Sequence, residues 1–493
     1  MRRRRRIPEV PALPRSRGTA ALAAFLLAVG CSKSPERPSP STADLTRPAA
    51  EWLRHEPVQL LRDYIRIDTS EGHGEEAGAR FLRGIFDCEG ISSEIVCGSP
   101  GRCNLLVRLP GRRREGALLL LNHIDVARAF PDFWKKSAPF EGKIEGGFLY
   151  GRGAYDMKSL AIAQALSILN LKRLGIVPES DVLFLAEADE ETGQKWGARW
   201  LLDRRPEWFQ GVAAVFNEGG TNEMVLRDVR FFGVETLQAG YAFAEFEMGR
   251  EEPLLALAKR WPRLSSEVVE PHPDVVIGFD MLANHLVSPL TDPLRHLDRV
   301  ARNRQELEIL PDRYGAFLEA RIVWSPVYPY PYKTGGSFRS YATISTPPGM
   351  DPGPFLASVL ADASRSGIRM TQSFSSGPAT ASPYQAASGE LVPVVAMLRR
   401  ETEAFWPGIP FGPIPTLQGY TTSVLFRQKG FAAYGYSPIP MNIHDAARKH
   451  GNDERIFLRD YLNGVELYED ILEEFALNGG PELKRVSAVF GAR

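Results

Sequence analysis

The apolar residues of this chain fall into two kinds of run. Residues 57–67 (PVQLLRDYIRI), 75–88 and 159–174 repeat apolar positions every three to four residues, a spacing that predicts helices with one buried stripe. Between them stand short unbroken runs at 117–121 (ALLLL), 182–186 (VLFLA) and 212–216 (VAAVF). An unbroken apolar run of that length suits a strand buried on both faces, as in a parallel sheet covered by helices. Residues 104–109 predict one more strand. Strands alternating with helices predict an α/β chain with a three-layer α/β/α domain beginning at residue 51.

The pattern changes near residue 232. Amphipathic pieces now alternate with long loops, including a Pro/Tyr-rich stretch at 325–332. Residues 338–345 predict a strand and 354–364 a helix. We read 233–377 as an inserted, smaller α+β lid domain between two parts of the main domain, 51–232 and 378–493. In the second part, helices are expected at 392–403 and 460–475, with a segment at 430–436 leading towards His450.

Composition narrows the classes. The chain has 493 residues, 44% of them hydrophobic and 24% charged, with a net charge of −1. That is enough length for a real core, and nothing in the balance points to a nucleic-acid partner, which would favour a basic domain. The one basic run, Arg2 to Arg6, precedes an apolar stretch at 19–29 that is too short to span a bilayer. The stretch ends in Ala28-Val29-Gly30-Cys31, which resembles a bacterial lipoprotein signal with Cys31 as the lipidated residue. An ordinary cleaved signal is the alternative. Residues 1–30 are thus expected to be a signal peptide and 31–50, rich in Ser and Pro, a disordered tether. On that expectation the protein is exported to a bacterial cell envelope, anchored by lipid and facing the periplasm or exterior. Of the remaining cysteines, Cys88, Cys97 and Cys103, an exported protein could pair two, and the spacing does not say which.

Candidate chemistry gathers at the ends of the predicted strands. His123 follows the ALLLL run, Asp189-Glu190-Glu191 follows VLFLA, and Glu218 follows VAAVF. Open α/β sheets place ligand sites beyond the carboxyl ends of their strands. Asp156 lies in a glycine-rich loop, Gly151-Arg152-Gly153-Ala154-Tyr155-Asp156-Met157-Lys158, that opens a predicted helix. Imidazole nitrogen and carboxylate oxygen are the donors a catalytic zinc accepts. Two neighbouring ions need a bridging carboxylate, a part that Asp156 suits. Asp125, two residues beyond His123, is placed to orient that imidazole. Glu190 and Glu191 are adjacent, so their side chains diverge; one can bind metal while the other takes a proton from water. His444 competes with His450 for the last ligand position, and His55 and His73 read as surface histidines.

Five segments carry a family resemblance: Asn122-His123-Ile124-Asp125-Val126; the glycine-rich loop through Lys158; Ala188-Asp189-Glu190-Glu191-Thr192-Gly193; Asn217-Glu218-Gly219-Gly220; and His450-Gly451-Asn452-Asp453-Glu454-Arg455. In this order they resemble the "M-twenty" metallopeptidases, which include carboxypeptidases G and S, aminoacylase and succinyl-diaminopimelate desuccinylase. The resemblance implies a dinuclear hydrolase holding two divalent ions, most often zinc, with cobalt or manganese as alternatives. It pairs His123 with Glu218 on one ion and Glu191 with His450 on the other, bridged by Asp156, with Glu190 as general base. It further implies cleavage of an amide bond in a small peptide or N-acyl amino acid, and a homodimer.

The lid departs from the family. A Gly-His-x-Ser type segment, whose histidine would reach the partner's site, has no clean copy here: Glu247-Met248-Gly249-Arg250 follows the strand that should carry it, and His285 is a displaced candidate. Ser345 stands where an arginine would face a substrate carboxylate, and serine offers no matching fork of donors. A Gly-Thr-Asp type segment appears as Gly419-Tyr420-Thr421-Thr422-Ser423. These changes leave a second reading: a catalytically altered envelope lipoprotein that uses the hydrolase scaffold for binding.

Overall fold

A computed structural model describes residues 42–479 except 221–222, 226–227, 286–288, 331–335 and 418. The expected signal peptide, Cys31 and most of the tether lie outside the described residues. The tether was expected to run to residue 50, yet its described end forms helices at Thr42–Thr46 and Ala49–Trp52. Asp44 is buried there and ion-paired with Arg459 at 2.9 Å, and Trp52 is fully buried, so this stretch packs as part of the domain.

Six strands form the central sheet, in the order Ser93–Ser99, Arg102–Leu109, Ser180–Glu187, Arg113–His123, Val212–Asn217 and Ala432–Gly435. The last four run parallel, and the first two are antiparallel additions at one edge. The period-two pleat sends alternate residues to opposite faces. Leu118, Leu120, Phe184 and Phe216 enter one core, beneath the helices Glu56–Ile65, Glu76–Asp87, Lys158–Arg173 and Leu458–Glu474. Leu119, Leu121, Leu185 and Val215 enter a second core, beneath Ala198–Arg204 and Ser423–Gln428. This is the three-layer arrangement that the unbroken apolar runs predict. The edge strand Ser93–Ser99 escaped prediction because its burial is irregular. Cys97 lies opposite Cys103 across that edge pair, and the two form a disulfide, leaving Cys88 free and exposed.

The insert contains more than a lid. Gly240–Met248, Arg321–Trp324, Ser337–Thr346 and Arg369–Ser375 make an antiparallel sheet whose outer face packs on the helices Glu252–Arg260 and Gly353–Arg365. Between its strands the chain builds a separate helical cluster around Phe279, Leu297, Leu307 and Phe317, which also takes in Phe231, Leu237 and Ile414. His285 ends the helix Pro273–His285 of that cluster.

Candidate metal centre

Parallel pairing brings three predicted strand ends to one edge. Leu120 sits beside Phe184 on one side and Phe216 on the other, so the chain leaves the three strands at neighbouring points as His123, the 189–191 acidic loop and Glu218. His123 Nε2 lies 3.1 Å from Asp156 Oδ1 and 3.7 Å from Glu218 Oε1. His450 Nε2 lies 2.7 Å from Asp156 Oδ2 and 3.1 Å from Glu191 Oε1. The two oxygens of Asp156 therefore face two different histidines, each with its own glutamate. His123, Asp156 and Glu218 form one cluster of donors within 4.8 Å of one another, and Asp156, Glu191 and His450 form another. Glu191 Oε1 is buried and faces His450 Nε2. Two imidazoles and three carboxylates, one of them the shared Asp156, fit a pair of divalent ions, since zinc takes nitrogen and oxygen donors together. His444 is not a member of these clusters.

Charge shapes the titration of the group. Burial alone would raise the Asp156 carboxyl, but the Lys449 ammonium and hydrogen bonds from His123 and His450 outweigh it and hold Asp156 well below the usual range. Lys449 Nζ lies 3.1 Å from Asp156 Oδ2 and 3.6 Å from Glu218 Oε2. Nothing in the spacing flagged this lysine; its place beside His450 was the only signal. Glu190 moves the other way. Burial pushes its carboxyl well up, and the negative charges of Glu218, Glu191 and Asp125 add to the rise against the opposing charge of His123. A carboxyl raised in this way suits a general base, whose pKa should approach the working pH.

Asp125 meets the His123 ring through its backbone. The ring nitrogen Nδ1 of His123 faces the backbone carbonyl of Asp125 at 2.8 Å, whereas the Asp125 carboxylate is 3.8 Å from it. The carbonyl thus accepts the Nδ1–H, and with an ion in place Nε2, which here faces Asp156, would be free to bind it. The carboxylate is taken up elsewhere, accepting the backbone N–H of Glu190 at 3.1 Å and of Glu191 at 2.9 Å. It fixes the acidic loop more than the imidazole.

Asp156 and His450 are tied by a pair that sequence reading missed. Glu454 Oε1 accepts the backbone N–H of Tyr155 at 2.9 Å and of Asp156 at 3.2 Å. Its other oxygen takes Arg152 Nη1 at 2.5 Å, and Arg152 Nη2 donates to the Gly451 carbonyl at 2.9 Å. Both residues are 1% exposed. The glycine-rich loop and the His450 loop are thereby held as one piece. Gly151 is required by close approach, because a Cβ there would stand 2.3 Å from Ile65 Cγ2.

The lid covers this centre from the same chain. Gln372 Nε2 donates to the Thr192 carbonyl at 2.8 Å, Arg199 Nη2 to the Ser375 carbonyl at 3.0 Å, and Arg128 lies 3.7 Å from Glu245. Ser345 pairs with Tyr241 in the lid sheet. Arg339 of the same strand is held by Glu245 at 3.0 Å and Glu247 at 2.7 Å.

Comparison with known proteins places the chain in a family. Over 150 residues the chain is 33% identical to a probable succinyl-diaminopimelate desuccinylase of Staphylococcus aureus, covering 30% of this chain and 36% of that one. Over 165 residues it is 34% identical to aminoacylase-1 of Sus scrofa, covering 33% of this chain and 40% of that one. The chain thus spans well under half the length of these relatives. In fold it resembles a metallo-carboxypeptidase from Sulfolobus solfataricus (TM-score 0.63, 17% identity, 86% of this chain and all of that one). It also resembles human carnosine dipeptidase 1 (TM-score 0.64, 15% identity, 87% of this chain and 98% of that one). Residues 119–474 match peptidase family M20/M25/M40 as a whole, lid included, and the chain belongs to that family.

Proposed function

We propose that the protein is a dinuclear zinc-dependent exopeptidase or amidohydrolase that cleaves an amide bond of a small peptide or N-acyl amino acid. The observation that carries this reading is the shared aspartate: Asp156 turns one oxygen to the His123–Glu218 donors and the other to the His450–Glu191 donors. Divalent ions held there would polarise the amide carbonyl and make water more acidic. Glu190, raised by burial, would take the proton from the attacking water and return it to the departing amine. The charges of Glu191 and Glu218 would hold the ions, and the bonds from the Asp125 carboxylate would keep Glu190 and Glu191 diverging. Zinc is preferred because imidazole and carboxylate suit it, though cobalt and manganese take the same donors.

The altered-scaffold reading has nothing in the site to favour it. The nearness of His123, Asp156, Glu190, Glu191, Glu218 and His450 to one another supports the hydrolase reading instead. The lipid anchor on Cys31 and an envelope location remain part of our proposal, supported by the Arg2–Arg6 run, the small residues before Cys31 and the Cys97–Cys103 disulfide, a bond that persists in oxidising compartments. No helix among the described residues is long and apolar enough to cross a membrane. The test of the chemistry is Glu190→Gln. Turnover of dipeptides and N-acyl amino acids should fall by about 10²–10⁴-fold while metal content, measured by elemental analysis, stays that of the parent; undiminished hydrolysis would remove Glu190 from its role.

A further inference from the structure

The inner face of the lid is divided into two chemically distinct parts. Strand alternation sends Ala242, Ala244 and Phe246 into the lid's own core and leaves Tyr241, Phe243, Glu245 and Glu247 on the opposite face, which meets the metal-bearing domain. The far part of that face is charged. Glu245, Arg339 and Arg369 line a cavity of about 520 Å³ with Arg102, Arg128 and Lys195 from the other domain. Its four arginines are already matched with carboxylates: Arg102 with Glu75 and Asp189, Arg128 with Glu71, and Arg339 and Arg369 with Glu247.

The near part is aromatic. Tyr420 lies edge-on to Phe374 with ring centres 4.9 Å apart, and Tyr241 is 6.2 Å from Tyr420. Phe374 stands against the acidic loop, its Cβ 3.9 Å from where a Cβ on Gly193 would be. Arg199 lies 5.4 Å over the Phe374 ring at the rim. Each of the three residues keeps part of its surface exposed, although the Tyr420 hydroxyl is buried. A site whose floor is histidine and carboxylate thus has a wall of partly open aromatic surface beside its base.

We propose that Tyr241, Phe374 and Tyr420 form a specificity-determining wall that selects amide substrates carrying an aromatic or large aliphatic group next to the scissile bond. The proposal rests on the hydrolase reading above and adds the substrate class. Partly open rings beside a polar centre are covered best by an apolar group, and one such group in an apolar pocket is worth about tenfold or more in selection. The matched arginines of the far cavity leave recognition of a substrate carboxylate without a free guanidinium there.

The test measures binding apart from turnover. Zinc-loaded Glu190→Gln protein is titrated calorimetrically with two ligand pairs, N-phenylacetylglycine against N-acetylglycine and glycyl-phenylalanine against glycyl-alanine. The aromatic member of at least one pair should bind about tenfold tighter or more. Adding Phe374→Ala with Tyr420→Ala should bring the members of that pair to within about twofold, in protein whose thermal melt remains cooperative. Equal binding within both pairs overturns the proposal, and this comparison needs no lid variant to fold. A preference that survives the double alanine variant overturns the assignment to these rings. Hydrolysis of the same four compounds by the zinc-loaded parent reports separately: if none is cleaved while the binding preference holds, the hydrolase reading fails and the aromatic wall stands.

Discussion

On the metal side of the cleft, four backbone N–H groups point at two buried carboxylates: those of Tyr155 and Asp156 at Glu454, and those of Glu190 and Glu191 at Asp125. On the lid side, the direct bonds across the cleft are few and peripheral, with Gln372 to Thr192 and Arg199 to Ser375 the clearest. One wall is locked by charge-assisted bonds to its own backbone, and the other rests on it through half-exposed side chains. The difference suits a site that must keep ion ligands in place while admitting and releasing a substrate. It also ranks the substitutions. Damage on the locked side should strike ion binding, and damage on the resting side should strike substrate affinity.

The largest effect should come from Asp156→Asn. An amide offers one oxygen and one nitrogen where the carboxylate now offers an oxygen to each histidine cluster. Bound zinc, counted by elemental analysis after gel filtration, should fall below the parent's content. Turnover should drop by more than the roughly 10²–10⁴-fold expected for removing the base alone. Full zinc content with near-parent turnover would contradict the shared-aspartate arrangement.

Next in size is Glu454→Ala. It leaves Arg152 buried without its partner, which costs about 3–5 kcal/mol, and it frees the loop that carries Asp156. The melting temperature and the affinity of the His450 cluster should both fall. Glu454→Gln separates the two consequences, because its remaining oxygen can still accept from Tyr155 and Asp156. Competition against a chelating dye should show zinc binding weakened about 10–100-fold in the alanine variant, the range typical when a ligand's supporting partner is removed, and less in the glutamine variant. If the melting temperature falls while zinc affinity does not, the pair serves stability alone.

How far these features could be read from the chain depends on the range of the contact that makes them. Strand ends bearing His123, the acidic loop and Glu218 were legible because a strand buried on both faces must be apolar throughout and stops where polar residues begin. The division of the insert was less legible. Helical segments between residues 291 and 315 are only four to six residues long and share one core with Phe231 and Ile414, which lie far away along the chain. Arg152 and Glu454 stand 302 positions apart, so neither the loop nor the terminal motif could announce the other. Asp125 shows a subtler limit. Its closeness to His123 was readable, but the choice between its carbonyl and its carboxylate as the ring's acceptor depends on where the acidic loop places its N–H groups.

Asp125→Asn should therefore have an intermediate effect of a particular kind. The carbonyl that orients His123 is untouched, while one of the two carboxylate oxygens beneath the acidic loop becomes an N–H₂ facing another N–H donor. Turnover should fall about 10–100-fold, with zinc at the His123–Glu218 cluster nearly unchanged and zinc at the Glu191 cluster weakened. Cobalt substitution, followed by visible absorption during stepwise addition of metal, distinguishes the two clusters. An equal loss at both would mean that the Asp125 carboxylate also orients the imidazole.

The smallest effect should come from the lid contact, through Gln372→Ala. This removes one partly buried hydrogen bond between neutral groups, worth about 1 kcal/mol, or roughly fivefold. Because Thr192 follows Glu191 directly, the same bond could either steady the acidic loop or merely seat the lid, and kinetics separates these. If it seats the lid, KM should rise by about that factor with kcat and zinc content near those of the parent, since the acidic loop is still held by Asp125. A fall in kcat at unchanged KM would mean that the lid helps to place Glu190, and the resting wall would then share in the chemistry that the locked wall is expected to perform alone.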